Sequence, residues 1–268
     1  MQMLSSVLLK TLRDQWRSLV AWGAGLAVLM GMYAAFWPSI KGQPSMNDLL
    51  EQMPEAFRNL FATEAADMST PTGYIQIELL SFMAPIVILM YAIGMGAGAI
   101  AGEEEHHTLE LLIAQPVGRG RVVLEKACAM ALGTALLAAV AGFALVLEGR
   151  WVDLVLPGDK IAAAMAHLGL LGLVFGSLAL ALSAATGKAG LSKGVPAALA
   201  VAAYLVNGLA PVVDWLEPAR KYSPFYQYVG HDPLKNGLDW PSVGIALATA
   251  AVLIGAAVVG FRRRDTAA

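Results

Sequence analysis

Charge is what this sequence has least of. Asp, Glu, Lys and Arg make up 14% of its 268 residues against 57% hydrophobic, where a water-soluble domain carries roughly 25% charged residues. So little charge cannot hydrate a globular surface, and the chain is read as an integral membrane protein. The net charge of -2 leaves no basic field for a polyanion, which excludes nucleic acid as a partner. Cys128 is the single cysteine, so no intrachain disulfide forms; its place inside an apolar run predicts a small buried packing residue. No G-x-x-x-x-G-K-[ST] loop is present, and the chain has no such route to ATP hydrolysis. Neither H-E-x-x-H nor a Cys/His ligand spacing occurs. The neighbouring His106 and His107 would point to different faces of a helix, which disfavours a metal site. No catalytic residue, metal ligand or cofactor is expected in this chain.

The long apolar runs also lack ionisable groups at their centres. Glu78 and His167 fall near run ends, and Tyr204 with Asn207 form the clearest polar pair, deep in the fifth run. Carriers driven by protons or ions place acids or histidines in mid-membrane. Their absence argues for another energy source and an apolar pathway, with Tyr204 and Asn207 as its candidate residues; for Asn207 a hydrogen bond between helices is the competing reading.

What is present is a series of six apolar runs, at about 18–37, 74–101, 122–147, 161–186, 195–213 and 241–261. Each is near the ~20 residues that a bilayer core requires. The expected fold is all-α, a single transmembrane domain of six helices. The first run has no early A-x-A cleavage site and reads as a retained span, with Tyr33 and Trp37 as interface aromatics at its far end. Residues 1–17 before it set Leu4, Leu8, Leu12 and Trp16 opposite Lys10, Arg13, Asp14 and Arg17. That pattern predicts an N-terminal amphipathic interfacial helix, or else an extension of the first span.

Residues 38–73 are polar and broken by Pro44, Pro54 and Pro71, yet Met46, Leu49, Leu50, Met53, Phe57, Leu60 and Phe61 keep helical spacing. One or two short surface helices are expected there, as a lid or a plain connector, with Ser45 and Asp48 resembling a capping box. In the second run Gly94, Gly98 and Gly102 share one face. Small residues at that spacing let another helix approach closely, and the expectation is packing within the chain, leaving a dimer interface to the first and fifth spans.

Between the second and third runs, Glu103-Glu104-Glu105 suit the positive end of a helix and Pro116 stops one. A short helix over about 103–115 follows, with Leu109, Leu112 and Ile113 on its apolar face and Glu103, Glu104 and Glu110 on the other. Such a helix needs a partner. The larger share of the 18 Lys and Arg, including Lys10, Arg13, Arg17, Arg119, Arg121, Lys126 and Arg262 to Arg264, falls on the side of this segment and both termini. Positive residues collect on the cytoplasmic side, so the termini and the short helix are expected there.

The sequence resembles the type-two ATP-binding-cassette exporter permeases, in the six-span form without a fused ATPase. The likeness spans the whole chain. It rests on the amphipathic N-terminal stretch, on Gly102-Glu103-Glu104-Glu105 followed by Thr108-Leu109-Glu110-Leu111-Leu112 and Gln115-Pro116-Val117, and on Ser223-Pro224-Phe225 with Asp232-Pro233-Leu234-Lys235-Asn236-Gly237. Members of that family usually carry a basic residue and a glycine where this chain has His106 and His107. The resemblance implies a half-transporter: two permeases, as homodimer or related heterodimer, with two copies of a cytoplasmic ATPase subunit that bring ATP and Mg. It assigns docking and coupling to Glu103, Glu104, Glu105, Thr108, Leu109, Glu110, Leu112 and Ile113. It also implies a bacterial-type inner (plasma) membrane and export of a drug, antibiotic or lipid. Related permeases serve other substrate classes, and a non-transporting scaffold or assembly factor is the alternative from another class.

Overall fold

A computed structural model of the chain describes residues 7–41, 52, 54, 67–109 and 117–264. Every regular element among them is a helix. Five long helices come first: α1 (Val7–Ile40), α2 (Pro71–Glu105), α3 (Arg119–Gly149), α4 (Gly158–Thr186) and α5 (Ala189–Leu209). Three short ones, α6 (Glu217–Arg220), α7 (Pro224–Val229) and α8 (Pro233–Asn236), lead into the last, α9 (Trp240–Arg263). The six long helices are each long and apolar enough to cross a membrane. The chain is a six-span, all-helical membrane protein.

From Val7 on, the amphipathic stretch and the first span are continuous. α1 runs for 34 residues without a break, roughly 50 Å of helix against a hydrocarbon core of ~30 Å, so part of it projects beyond the core. No proline stands between residue 17 and Pro38, in the last turn, so nothing breaks the helix where the amphipathic stretch meets the span. α5 begins six residues earlier than 195 and ends at Leu209; the exposed Lys193 rides on its outer face and does not mark a loop. Its terminus at Leu209 leaves Asn207 in the last turn, not deep in the span. The expected surface helices and capping box of 38–73 fall almost entirely outside the described residues.

α4 is the hub, packed against α2, α3, α5 and α9, while α1 lies along α3. The spanning windows of α2, α3 and α4 are 56%, 50% and 61% buried, against 22%, 22% and 17% for α1, α5 and α9. Three helices therefore make the body and three present most of their apolar surface outward.

Close approach of α2 to α4 depends on other glycines than the sequence suggests. A Cβ on Gly96 would lie 2.1 Å from the Gly176 carbonyl oxygen, and one on Gly172 would lie 2.6 Å from Ile88. On Gly94, Gly98 and Gly102 it would meet nothing within 4 Å among the described residues. The face those three share is open, contrary to the expected packing within the chain, since three- and four-residue spacing marks a face without telling which neighbour it meets. The expectation of a buried Cys128 is reversed, and the far-end Trp37 packs inside the protein. Cys128 is exposed on the outside of α3, and Trp37 is buried, its ring 5.5 Å from that of Tyr74.

Candidate functional site

α2 is not a uniform α-helix. Its π-helical turn Gly98–Gly102 widens the backbone, and Ser183 of α4 occupies the freed groups: its Oγ accepts from Ile100 and Ala101 amides at 3.2 and 2.8 Å and donates to the Ala97 carbonyl at 2.8 Å. Such π-turns cluster at functional sites. Beyond this one α2 continues as an α-helix through Glu105.

The three glutamates thus belong to the last turn of α2 and do not open a new helix. The expected helix of 103–115 is corrected at its start. His107 takes φ 56°, the left-handed conformation that ends helices. Its amide donates to the Glu104 carbonyl at 3.0 Å and that of Thr108 to the Glu103 carbonyl at 2.8 Å, the two bonds of a Schellman motif. Glycine would be unstrained at this φ. The Thr108 hydroxyl then closes on the Glu103 carboxylate.

Carboxylates at a helix C-terminus face the negative end of the helix dipole, so they need cations. Other helices supply them. Lys126 of α3, 6% exposed, places its Nζ 2.6 Å from Glu103 Oε1. Arg264, just past α9, donates through Nη2 to both oxygens of Glu104, and its carbonyl accepts from Arg119 Nη1 at 2.7 Å. Next to Lys126, Glu125 accepts from the Leu8 amide at 2.9 Å and from Arg121 Nε at 2.7 Å. An acid thus meets the positive start of α1 and a base the acidic end of α2, from consecutive residues of α3.

Leu109, at the far side of the reversal, is 4% exposed. It sits in a compact cluster with Val7, Ile100, Val122, Leu180, Ala257 and Phe261, from α1, α2, α3, α4 and α9. Five spans meet the reversal at this junction. Leu109 is therefore an anchor into the membrane body and not part of an outward apolar face, because a helix entered after a tight reversal turns its first apolar residue back on the preceding bundle. Glu105, His106 and His107 are exposed; Glu110, Leu112 and Ile113 lie outside the described residues.

The family model described as ABC-2 family transporter protein matches residues 5–266, nearly the whole chain. The chain belongs to the ABC-2 transporter family. It is thus the multi-pass membrane permease of an ABC transporter, a system in which an ATP-binding subunit is the partner. No curated protein matches this permease closely enough to count as a relative.

The pathway candidates of the permease stand apart from the junction, at the opposite end of the spans. Tyr204 sets its ring 5.4 Å from Phe225 and 6.0 Å from Phe82. Asn207 keeps Oδ1 buried with no hydrogen-bond partner among the described residues. Sequence reasoning did not single out Lys126, Ser183 or Arg264. Arg264 lies in a triplet that reads only as a stop after a span, and nothing in the spacing of Glu103 and Lys126 brings them together. Among the described residues no three His, Cys, Asp or Glu side chains gather as a metal would need.

Proposed function

We propose that this permease is the membrane half of an ATP-driven exporter, with the junction end cytosolic and the segment after His107 in contact with the ATPase subunit. The clamps carry the reading. Through Glu103 to Lys126 and Glu104 to Arg264, a push on the reversal is delivered to α2, α3 and α9 together, and Leu109 adds α1 and α4. A surface feature that served only to hold a loop would not need five helices. The exposed Glu105, His106 and His107 beside the clamps supply the contact surface, and the same role is assigned to Glu110, Leu112 and Ile113, outside the described residues.

Two permeases, as homodimer or related heterodimer, complete the translocation body, and two ATPase copies close on ATP and Mg below them. The outward apolar surfaces of α1, α5 and α9, 22%, 22% and 17% buried in the single chain, are open to pairing, which we assign to α1 and α5. The basic residues around the junction support a cytosolic orientation in the cell inner membrane. Spans without central charge support an apolar or amphipathic compound moved outward, with Tyr204 and Asn207 near its exit. Coupling of this kind requires two states that the nucleotide biases unequally.

The test is purification of the tagged permease from its native membranes. An ATP-hydrolysing subunit should accompany it, and hydrolysis should rise with hydrophobic drugs or lipids in a reconstituted complex. A folded permease with no ATPase partner would support the scaffold reading and overturn this one.

A further inference from the structure

We propose that Ser183 is the positioning residue of the junction: its hydroxyl sets a one-residue register that decides which glutamate of α2 meets which base. In an α-helix the Ala101 amide would donate to the Ala97 carbonyl, four residues back. Here both groups turn to Ser183 instead. The Ala101 amide donates to its Oγ at 2.8 Å, and the hydroxyl donates to the Ala97 carbonyl at 2.8 Å. A side chain of α4 thus stands inside the missing bond of α2. The Ile100 amide shares the same oxygen at 3.2 Å, and Ser183 is fully buried.

A π-turn holds one residue more than the α-turn it replaces, so the residues after Gly98–Gly102 lag by one place. Closing the turn carries them forward by that place, a rotation of about 100° and a rise of about 1.5 Å. Glu103 then stands where Glu104 stands now, opposite Arg264. Glu104 takes the exposed place of Glu105, and Gly102 faces Lys126. The pairs of Glu103 with Lys126 and of Glu104 with Arg264 belong to the open register alone. Arg264 meets a carboxylate in both registers, whereas Lys126 meets one only while Ser183 holds the turn open.

The two parts of α2 differ in their freedom to turn. Before the π-turn, a Cβ on Gly96 would lie 2.1 Å from the Gly176 carbonyl oxygen, so the body of α2 is locked to α4. At Gly98 and Gly102 a Cβ would meet nothing within 4 Å among the described residues, and a cavity lined by Gly98, Ala99, Glu103 and Lys126 adjoins them. The end of α2 has room that its body lacks. Leu109, buried beyond the reversal, confines the change to the residues before it. Because α4 carries Ser183, withdrawing the end of α4 from α2 closes the turn and frees Lys126; that this serves transport rests on the coupling role proposed above.

The experiment is a set of double-mutant cycles on the purified full chain, read as the unfolding equilibrium constant by SDS titration in mixed micelles. In the native chain Glu104→Gln with Arg264→Gln, and Glu103→Gln with Lys126→Met, should each depart from additivity by about fivefold, while Glu103→Gln with Arg264→Gln should be additive. In Ser183→Ala the coupling to Arg264 should pass from Glu104 to Glu103, and that of Glu103 with Lys126 should vanish. Deleting Ala101 from the Ser183→Ala chain removes the extra residue and should return both native pairs. A serine that only fills space would cost stability and leave the pairing as it was, so native couplings in Ser183→Ala overturn the proposal, as does the loss of all coupling at Arg264. Should Ser183→Ala fail to fold, deletion of Ala101 in it should restore a folded chain with the native pairs, and failure to do so overturns the proposal as well. The readout needs no ATPase and no transported compound: its failure leaves the exporter reading standing, and a permease without an ATPase partner leaves the register untouched.

Discussion

At the far end of the spans, α7 is pressed onto its neighbours by rings: Phe225 stands 6.3 Å from Phe175 and 5.4 Å from Tyr204. The buried Tyr228 donates to the Leu80 carbonyl at 2.9 Å. At the junction end the same task falls to Glu103, Glu104, Lys126 and Arg264. Apolar contact is non-directional and is lost only by creating a void, so the far end behaves as a plug. Ion pairs with partly exposed carboxylates can part and re-form without opening a cavity, so the junction behaves as a joint. On that difference we expect rigidity at the far end of the helical body and mobility at the junction.

Breaking the plug should have the largest effect. Phe225→Ala leaves a void and should cost about 4 kcal/mol, measured by SDS-titration unfolding in mixed micelles, with no charge change elsewhere able to restore it. Lys126→Met leaves Glu103 unpaired at a helix C-terminus and should cost about 3 kcal/mol. Here restoration is possible: adding Glu103→Gln should recover most of the loss. A double-mutant cycle with no coupling would erase the distinction between joint and plug.

Smaller changes sharpen the comparison. Asp239 caps α9, accepting from the Ser242 amide at 3.1 Å. Hydrogen bonding from Ser242 foremost, with His231 and His167 adding, outweighs burial and holds its carboxyl below the ordinary range. Its folded-state pKa is depressed, so its contribution is complete above the unfolded value of about 3.9 and is lost as pH falls through the lower folded value. Asp239→Ala should cost about 1 kcal/mol at neutral pH, and Asp239→Asn should keep the cap while flattening the acid limb of an unfolding profile. The smallest effect is a gain. His107→Gly relieves a left-handed φ and should stabilise the protein by about 0.5 kcal/mol, less than the full strain because glycine also frees the unfolded chain. A loss of stability in that variant would contradict the Schellman reversal.

The six spans were legible because twenty-residue apolar runs have one physical outcome in this composition. Their ends were not. Lys193 and the residues after 17 sit on faces of continuous helices, and a charge that rides outside a helix looks in sequence like a charge in a loop. The stretch 102–116 was legible as the place where something happens, since its acids and its proline interrupt apolar runs. Its geometry was hidden, because three acids suit a helix start and are tolerated at a helix end only when cations arrive from elsewhere. Lys126 and Arg264 come from 23 and 160 residues away in the chain, and local pattern carries no trace of such pairs. Gly96 differed from Gly94 and Gly98 only in which neighbour it faced, which only the fold decides.

The joint is tested most directly by asking whether nucleotide at one end changes the other end through Arg264. In the complex with its ATPase and with Cys128→Ala, a cysteine at the far-end Lys221 is labelled with a membrane-impermeant maleimide, with and without ATP. Labelling should depend on ATP in the otherwise native chain, lose that dependence in Arg264→Glu while the ATPase still co-purifies, and regain it when Glu104→Arg restores the pair. Full ATP dependence in the Arg264→Glu chain would contradict a joint at this pair.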